Sequence, residues 1–155
     1  MRYYAVIDTN VMVSSFLKEG SIPNKIVSMV LNGTITPILN AEIIKEYYEV
    51  LLRNNFGLNV DTVLDVLERI DNQSVKLDRT KTEEFFEDKD DVVFYEVVMT
   101  ARNSNKDAYL VTGNGKHFPN KMFVVTPRQM LEIIQNNWNN QITKRDSMSL
   151  FVLVW

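Results

Sequence analysis

The sequence predicts an α/β domain with a central, mainly parallel sheet flanked by helices on both faces. Three observations carry this expectation. "YYAVI", residues 3–7, is apolar at nearly every position, as a strand covered on both faces must be. "AYLVTGN", residues 108–114, repeats the pattern and, like the first run, passes directly into polar residues. Strand-like and helix-like segments alternate along the chain, and that alternation favours a parallel sheet whose crossover helices cover it.

The elements follow in order. After the first strand a short helix is expected over 11–17, then a loop of Lys18, Glu19, Gly20 and Ser21. Pro23 suits a first helical position, and Ile22, Ile26, Val27, Val30 and Leu31 recur at helical spacing. Asn32-Gly33 stops that helix. "TITPIL", 34–39, reads as a strand with Pro37 at its end or at a bulge, because proline has no N–H to give a ladder. Asn40 can cap the next helix, in which Ile43, Ile44, Tyr47, Val50 and Leu51 form a stripe flanked by Glu42, Glu46, Glu49 and Arg53. Val60, Val63, Leu64, Val66, Leu67 and Ile70 mark a further helix, and "SVKL" a short strand. The polar, acidic stretch 78–91 is expected to hold a short helical turn. The helix after it turns Val93, Phe94, Val97, Val98 and Ala101 inward. A strand is expected over 121–125, then a helix capped by Thr126 with Pro127 in its first turn. The apolar ending "SLFVLVW" reads as one more strand, added at the sheet edge or meeting another subunit. The organisation expected is one unit over 1–136, with 137–155 as an extension whose strand packs on the same domain.

Composition limits the chemistry. A chain of 155 residues, 45% hydrophobic and 24% charged, is long enough to bury a full core. Its net charge of −3 gives no global basic footprint, so nucleic-acid binding would have to rest on a local patch or on metal ions. Cysteine is absent, which excludes disulfides, thiolate catalysis and thiolate metal sites; a single histidine cannot build a zinc cluster. The short apolar run at the start does not read as a signal peptide. No apolar stretch approaches a membrane span, so no membrane association and a cytoplasmic location are expected.

The strand ends carry the candidate chemistry. Asp8-Thr9-Asn10 and Thr112-Gly113-Asn114 close two strands that would be central, and ligands of parallel sheets collect at carboxyl ends. Glu46 borders the apolar stripe of its helix, and Asp88, Asp90 and Asp91 stand just before another helix. If Asp8, Glu46 and Asp91 converge, their mutual repulsion calls for a cation. Carboxylates, an amide and water form a hard-oxygen site for Mg²⁺ or Mn²⁺, which can activate water and hold a phosphodiester. Each residue also has a plainer role open to it. Asp8 and Asp90–Asp91 could cap helices, Glu46 could be solvated, Thr112 and Asn114 could form a turn around Gly113, and His117 could pack near Phe118. "GNGKHF" is not a phosphate loop of the GxxxxGK[ST] type. No GxGxxG follows the first strand, and no GxSxG surrounds Ser14 or Ser15.

In these motifs the chain resembles the PIN domain family, and most closely its branch of toxin components of prokaryotic toxin–antitoxin pairs. "VIDTNVMVSSF" matches the first acidic motif. "ILNAEIIKEYYEVLLR" resembles the helix of the second acid, which maps to Glu46, and "DKDDVVFYEVVMTARNSNKDAYLVTGNGKHFP" resembles the third and fourth motifs. The resemblance implies a Rossmann-like fold and metal-dependent hydrolysis of single-stranded RNA. It implies Asp8, Glu46 and Asp91 as catalytic acids, with neighbouring Asp90 an open alternative to Asp91, and Asp8, Glu46, Asp90, Asp91 and Asn114 as the ligand set of Mg²⁺ or Mn²⁺. Asn10, Thr112, Lys116 and His117 would meet the substrate, and Arg53, Arg102 and Lys106 are further phosphate contacts to consider. Many members carry Asp where this chain has Asn114, which offers a carbonyl oxygen but no charge. An antitoxin protein is the implied partner, and a homodimer is a further expectation. Asn114 also motivates a second reading, a domain of this fold that binds RNA or protein without cutting. A third, a metal-dependent phosphatase or receiver-like domain, would need an acidic pair at the end of the first strand, where this chain has one Asp.

Overall fold

The computed structural model describes residues 2–53, 56–104 and 106–153. It is an α/β fold with a five-stranded sheet of β1 (Tyr3–Ile7), β2 (Ile35–Leu39), β3 (Val75–Lys76), β4 (Ala108–Val111) and β5 (Val124–Val125). The spatial order is β3-β2-β1-β4-β5, and every neighbouring pair is parallel. Helices α1 (Thr9–Leu17), α2 (Ile22–Leu31), α3 (Ala41–Leu51), α4 (Val60–Gln73), α5 (Val92–Asn103) and α6 (Pro127–Leu153) flank it.

The apolar runs become the centre of this sheet for a physical reason. β1 lies between β2 and β4, so both of its faces are covered, and Ala5 and Val6 are wholly buried. Each buried Val, Leu or Ile side chain contributes about 1.5–3 kcal/mol, so a charge at Val6 would oppose the largest favourable term in the fold. The helices begin where the sequence supplies caps. Ser21 accepts from the Asn24 N–H, Asn40 from Ile43 and Asn59 from Thr62, each worth about 0.5–2 kcal/mol over alanine.

Topology places the site. From β1 the chain moves outward to β2 and β3, then returns through α5 to β4 on the other side of β1. Parallel crossovers are right-handed, so this reversal sets α5 on the face opposite the helices that join β1 to β2. α5 spans β1, β2 and β4, while α2 packs against α6. Ligands of such sheets collect just beyond the carboxyl ends of the strands at the reversal, which here are β1 and β4.

Three expectations need correction. Pro37 sits in the middle of β2, neither at its end nor at a bulge. The Leu39 carbonyl accepts from Leu77 on the β3 side, and Pro37, two residues earlier, faces that same side before β3 begins at Val75. Its missing N–H therefore costs no ladder bond. The strand expected over 121–125 shortens to its last two residues. The strand expected from "SLFVLVW" is replaced by helix: α6 runs unbroken through 136 to Leu153, and 154–155 lie outside the described residues. A short apolar run carries no period that separates strand from helix, and continuity with a preceding helix decides it. Met130 and Ile134 in the first turns of α6 are buried, whereas Trp138 and Met148 are exposed, so the helix leaves the core after Ile134 and is exposed from Trp138 as far as Met148. Among the described residues no helix is long and apolar enough to cross a membrane.

Candidate active site

Asp8 follows β1 without a break. Its N–H donates to the Val111 carbonyl at 2.9 Å, so the residue leaves the sheet tied to the end of β4. The side chain is only 5% exposed although it stands at the start of α1. It occupies the N-cap position without closing a capping hydrogen bond. Its partner is Thr112, fully buried at the end of β4, whose hydroxyl donates to Asp8 Oδ2 at 2.7 Å. The same hydroxyl accepts from the Asn114 N–H at 3.0 Å, which forms the turn around Gly113. Thr112 thus serves both the turn and the carboxylate. Asn10 ties the two strand ends from the other side, its Oδ1 accepting from the Gly113 N–H at 3.3 Å.

Glu46 reaches the same place from α3. The Tyr47 hydroxyl donates to the Ile7 carbonyl and fastens this helix to the end of β1. The Thr9 hydroxyl donates to Glu46 Oε2, so the residue after the first acid holds the second. Glu42, one turn earlier, points elsewhere and pairs with Arg79 at 2.8 Å.

The third acid arrives at the start of α5. Asp88 accepts from the Asp90 N–H at 2.9 Å and opens a short 3-10 turn, Lys89–Asp91. Asp90 is exposed. Asp91 caps nothing with its side chain, and its Oδ2 is buried without a hydrogen-bond donor. The nearest basic side chain is His117, whose Nδ1 lies 3.5 Å from that oxygen, longer than an ordinary hydrogen bond.

The electrostatics show that the three acids share one region. Burial pushes the Asp8 carboxyl up, opposed by Thr112, by the nearby N–H groups of Asn10 and Thr9, and by His117. Burial also raises Glu46, against the Thr9 hydrogen bond, and the charges of Asp8, Asp90 and Asp91 raise it further. Asp91 is raised by burial and then by Asp8 and Asp88, while His117 opposes. Even so, among the described residues no three carboxylate or imidazole groups are drawn together into a cation cage. The donor chemistry suits a hard cation, and the orphaned Asp91 oxygen is an acceptor left for one.

The remaining candidates divide. Asn114 lies just beyond β4, exposed, and its side chain makes no hydrogen bond to the described residues. Lys116 and His117 form a short turn that follows Asn114. Arg53 lines a groove of about 480 Å³ with Glu46 and Asp90, joined by Arg79 and Lys89, which no local motif marks. Arg102 and Lys106 belong at the opposite, amino end of β4. Arg102 donates to the Ala108 carbonyl and stacks over Phe123 at 4.5 Å, and Lys106 lies over the Tyr4 ring at 5.1 Å. Neither faces the acids.

One buried charge carried no sequence signal. Glu96 of α5 is 5% exposed and binds Arg79 at 2.6 Å and the Thr82 N–H at 2.8 Å. It pins the acidic stretch to α5 ahead of Asp88. A glutamate on a helix ordinarily reads as solvated, and its partner lies 17 residues away in a polar segment.

The sequence pattern of the PIN domain matches residues 4–116, which includes all three acids. Neither the curated proteins nor the solved structures compared with this chain gave a match.

Proposed function

The chain belongs to the PIN domain family, and from that premise we propose that it is a divalent-metal-dependent endoribonuclease acting on single-stranded RNA, the toxin of a toxin–antitoxin pair. One observation carries the reading. The acids after β1, on α3 and at the start of α5 each hold a proton more tightly than usual, the charge of Asp8 raising both Glu46 and Asp91, and the buried Oδ2 of Asp91 has no hydrogen-bond partner. A cation is what such a group of acids lacks.

Asp8, Glu46 and Asp91 would hold Mg²⁺ or Mn²⁺, with Asp90 and Asn114 at the edge of the site. An ion held there would supply Lewis acidity and make a water acidic enough to lose its proton and become a nucleophile toward phosphorus. The chain's own residues do the positioning. Thr112 fixes the rotamer of Asp8, and Thr9 fixes that of Glu46. Such outer partners typically set 10–100-fold of metal affinity or activity, by the general behaviour of metal sites, so about that range is expected here. Lys116 and His117 stand where a phosphate would enter, with Asn10 and Thr112 lining the strand ends. Arg53 and Lys89 offer contacts along the groove on the far side of Glu46. This local set of cations answers the net acidity of the chain. The RNA substrate puts the work in the cytoplasm, and the exposed stretch of α6 from Trp138 to Met148 is a surface for an antitoxin or for a second copy of the chain.

The test is cleavage of unstructured RNAs by purified protein across Mg²⁺ and Mn²⁺ titrations. Cutting that needs the ion and stops with chelator is the expected result. No cutting by the free protein under any of these conditions would favour the second reading, an RNA- or protein-binding domain without catalysis, for which Asn114 is the motive.

A further inference from the structure

Beside the acids lies a recess of about 380 Å³ of which the proposed reaction uses only the Lys116–His117 rim. It is within the size range of small-ligand sites. His117 belongs to both, facing Asp91 at 3.5 Å and lining the recess. Two neighbouring aromatics behave in opposite ways here. Phe86 turns inward and packs on Tyr95 and Phe118, with ring centroids 5.5 and 6.1 Å away. Phe85 turns out, 84% exposed, at the rim of the same recess whose wall is the buried Phe118. A phenyl ring left in water beside a substrate cleft is an unused stacking surface.

The polar lining decides what stacks there. Glu84 is held by Lys121 at 3.3 Å, and Asp88 is engaged by the Asp90 N–H. Glu87 lines the recess with no hydrogen bond or ion pair to the described residues. Carboxylates repel a phosphate and accept N–H groups, so this recess suits the edge of a base and not the backbone. Guanine alone presents two adjacent N–H donors on its pairing edge, which match the two oxygens of one carboxylate. Cytosine and adenine offer an amino group beside an acceptor, and uracil a single imino group between two carbonyls. Lys116, exposed on the same rim, can meet the phosphate of that nucleotide.

We infer that this recess is a nucleobase subsite that takes an unpaired guanine of the RNA, stacked on Phe85 and read by Glu87. The inference rests on the ribonuclease reading and adds to it a sequence preference. The strand lies with one guanine in the recess and the adjacent phosphodiester over the acids.

Anisotropy of a labelled decauridylate, and of the same strand with one central G, A or C, tests it. Binding is measured with divalent ions chelated and again in Ca²⁺. The guanine strand is expected to bind wild type about tenfold more tightly than decauridylate. Phe85→Ala should weaken the guanine strand by about tenfold, the usual worth of a stacked base. Glu87→Gln should retain decauridylate binding and lose the guanine advantage. Both side chains are exposed, so the fold is preserved. RNA bound equally by wild type and Phe85→Ala overturns the subsite and leaves that face to a protein partner, with the ribonuclease reading intact. No binding of any strand in either condition overturns both.

Discussion

The two sides of the acidic centre are built differently. On the sheet side, Asp8 is buried, tied to the end of β4 through its N–H, and held by the hydroxyl of a wholly buried Thr112. On the α5 side, Asp91 has a buried oxygen with no hydrogen-bond partner, and the nearest basic side chain is a half-exposed histidine at 3.5 Å. The sheet side is organised by the fold alone. The α5 side is incomplete, since a buried, unsatisfied acceptor costs about 1–3 kcal/mol unless something fills it. A site with one preformed half and one half that needs a ligand should respond unequally to substitution and to metal.

The largest effect is expected from Asp8→Asn. Removing this charge should lower RNA cleavage by at least about a hundredfold, since even outer partners of a metal set up to that much. The same change should stabilise the metal-free protein. Burial raises the Asp8 carboxyl, so its charged form is a cost at neutral pH, and a neutral isostere relieves it. Thermal unfolding should rise by about 2–4 °C per kcal/mol relieved in a chain of this size. Lower activity together with lower stability would mean that Asp8 is structural.

Next in size is the response of stability to metal and pH. Asp8, Glu46 and Asp91 keep their protons to higher pH when folded than when unfolded. Well below the ordinary carboxyl range both states are protonated and no penalty exists. As pH rises through that range the unfolded chain ionises first, and stability contributed by these groups falls until each raised folded value is passed. A bound cation offsets the penalty only once the carboxyls are charged. The gap between melting temperatures with and without Mn²⁺ should therefore widen from pH 4 to pH 7 in wild type and close in Asp91→Asn. A gap that stays constant with pH would separate metal binding from these acids.

Thr112→Val probes the preformed half alone. It keeps the shape, removes the donor to Asp8 and removes the acceptor for the Asn114 N–H. A loss of about 10–100-fold in activity or Mn²⁺ affinity is expected, with a destabilisation of about 1–3 kcal/mol. Activity equal to wild type, measured alongside an unfolding curve, would show that Asp8 needs no fixing from β4.

The same contrast explains what could be read from the chain in advance. Continuous apolar runs such as "YYAVI" and the stripe through Ile43, Tyr47 and Leu51 carry their own period, so the parallel sheet and its main helices were legible. Asp8 and Thr112 stood at the ends of those runs and were legible with them. Groups whose role depends on a distant partner were not. Nothing local marks Glu96, whose burial is decided by Arg79, and Arg102 and Lys106 looked like phosphate contacts until Phe123 and Tyr4 lay beneath them. The C-terminal run misled for a related reason: its fate depended on α6 continuing through an asparagine-rich stretch that argues locally against helix.

The smallest and most discriminating change is Asn114→Asp. Asn114 follows the preformed side but its own side chain is exposed and bonded to none of the described residues, so substitution disturbs little of the fold. The new carboxylate would stand on the turn that Thr112 holds, close to acids that already repel one another. If that position lies at the edge of the metal site, the added charge should lower the Mn²⁺ concentration needed for half-maximal cleavage by a few-fold, and metal-free stability should fall slightly from the extra repulsion. If Asn114 instead serves the RNA through its amide, the metal requirement should stay unchanged and the KM for RNA should rise, because a carboxylate beside a phosphodiester repels it. A Mn²⁺ titration at saturating RNA and an RNA titration at saturating Mn²⁺ separate these outcomes. An unchanged response in both would place Asn114 outside the working site and confine catalysis to Asp8, Glu46 and the acids at the start of α5.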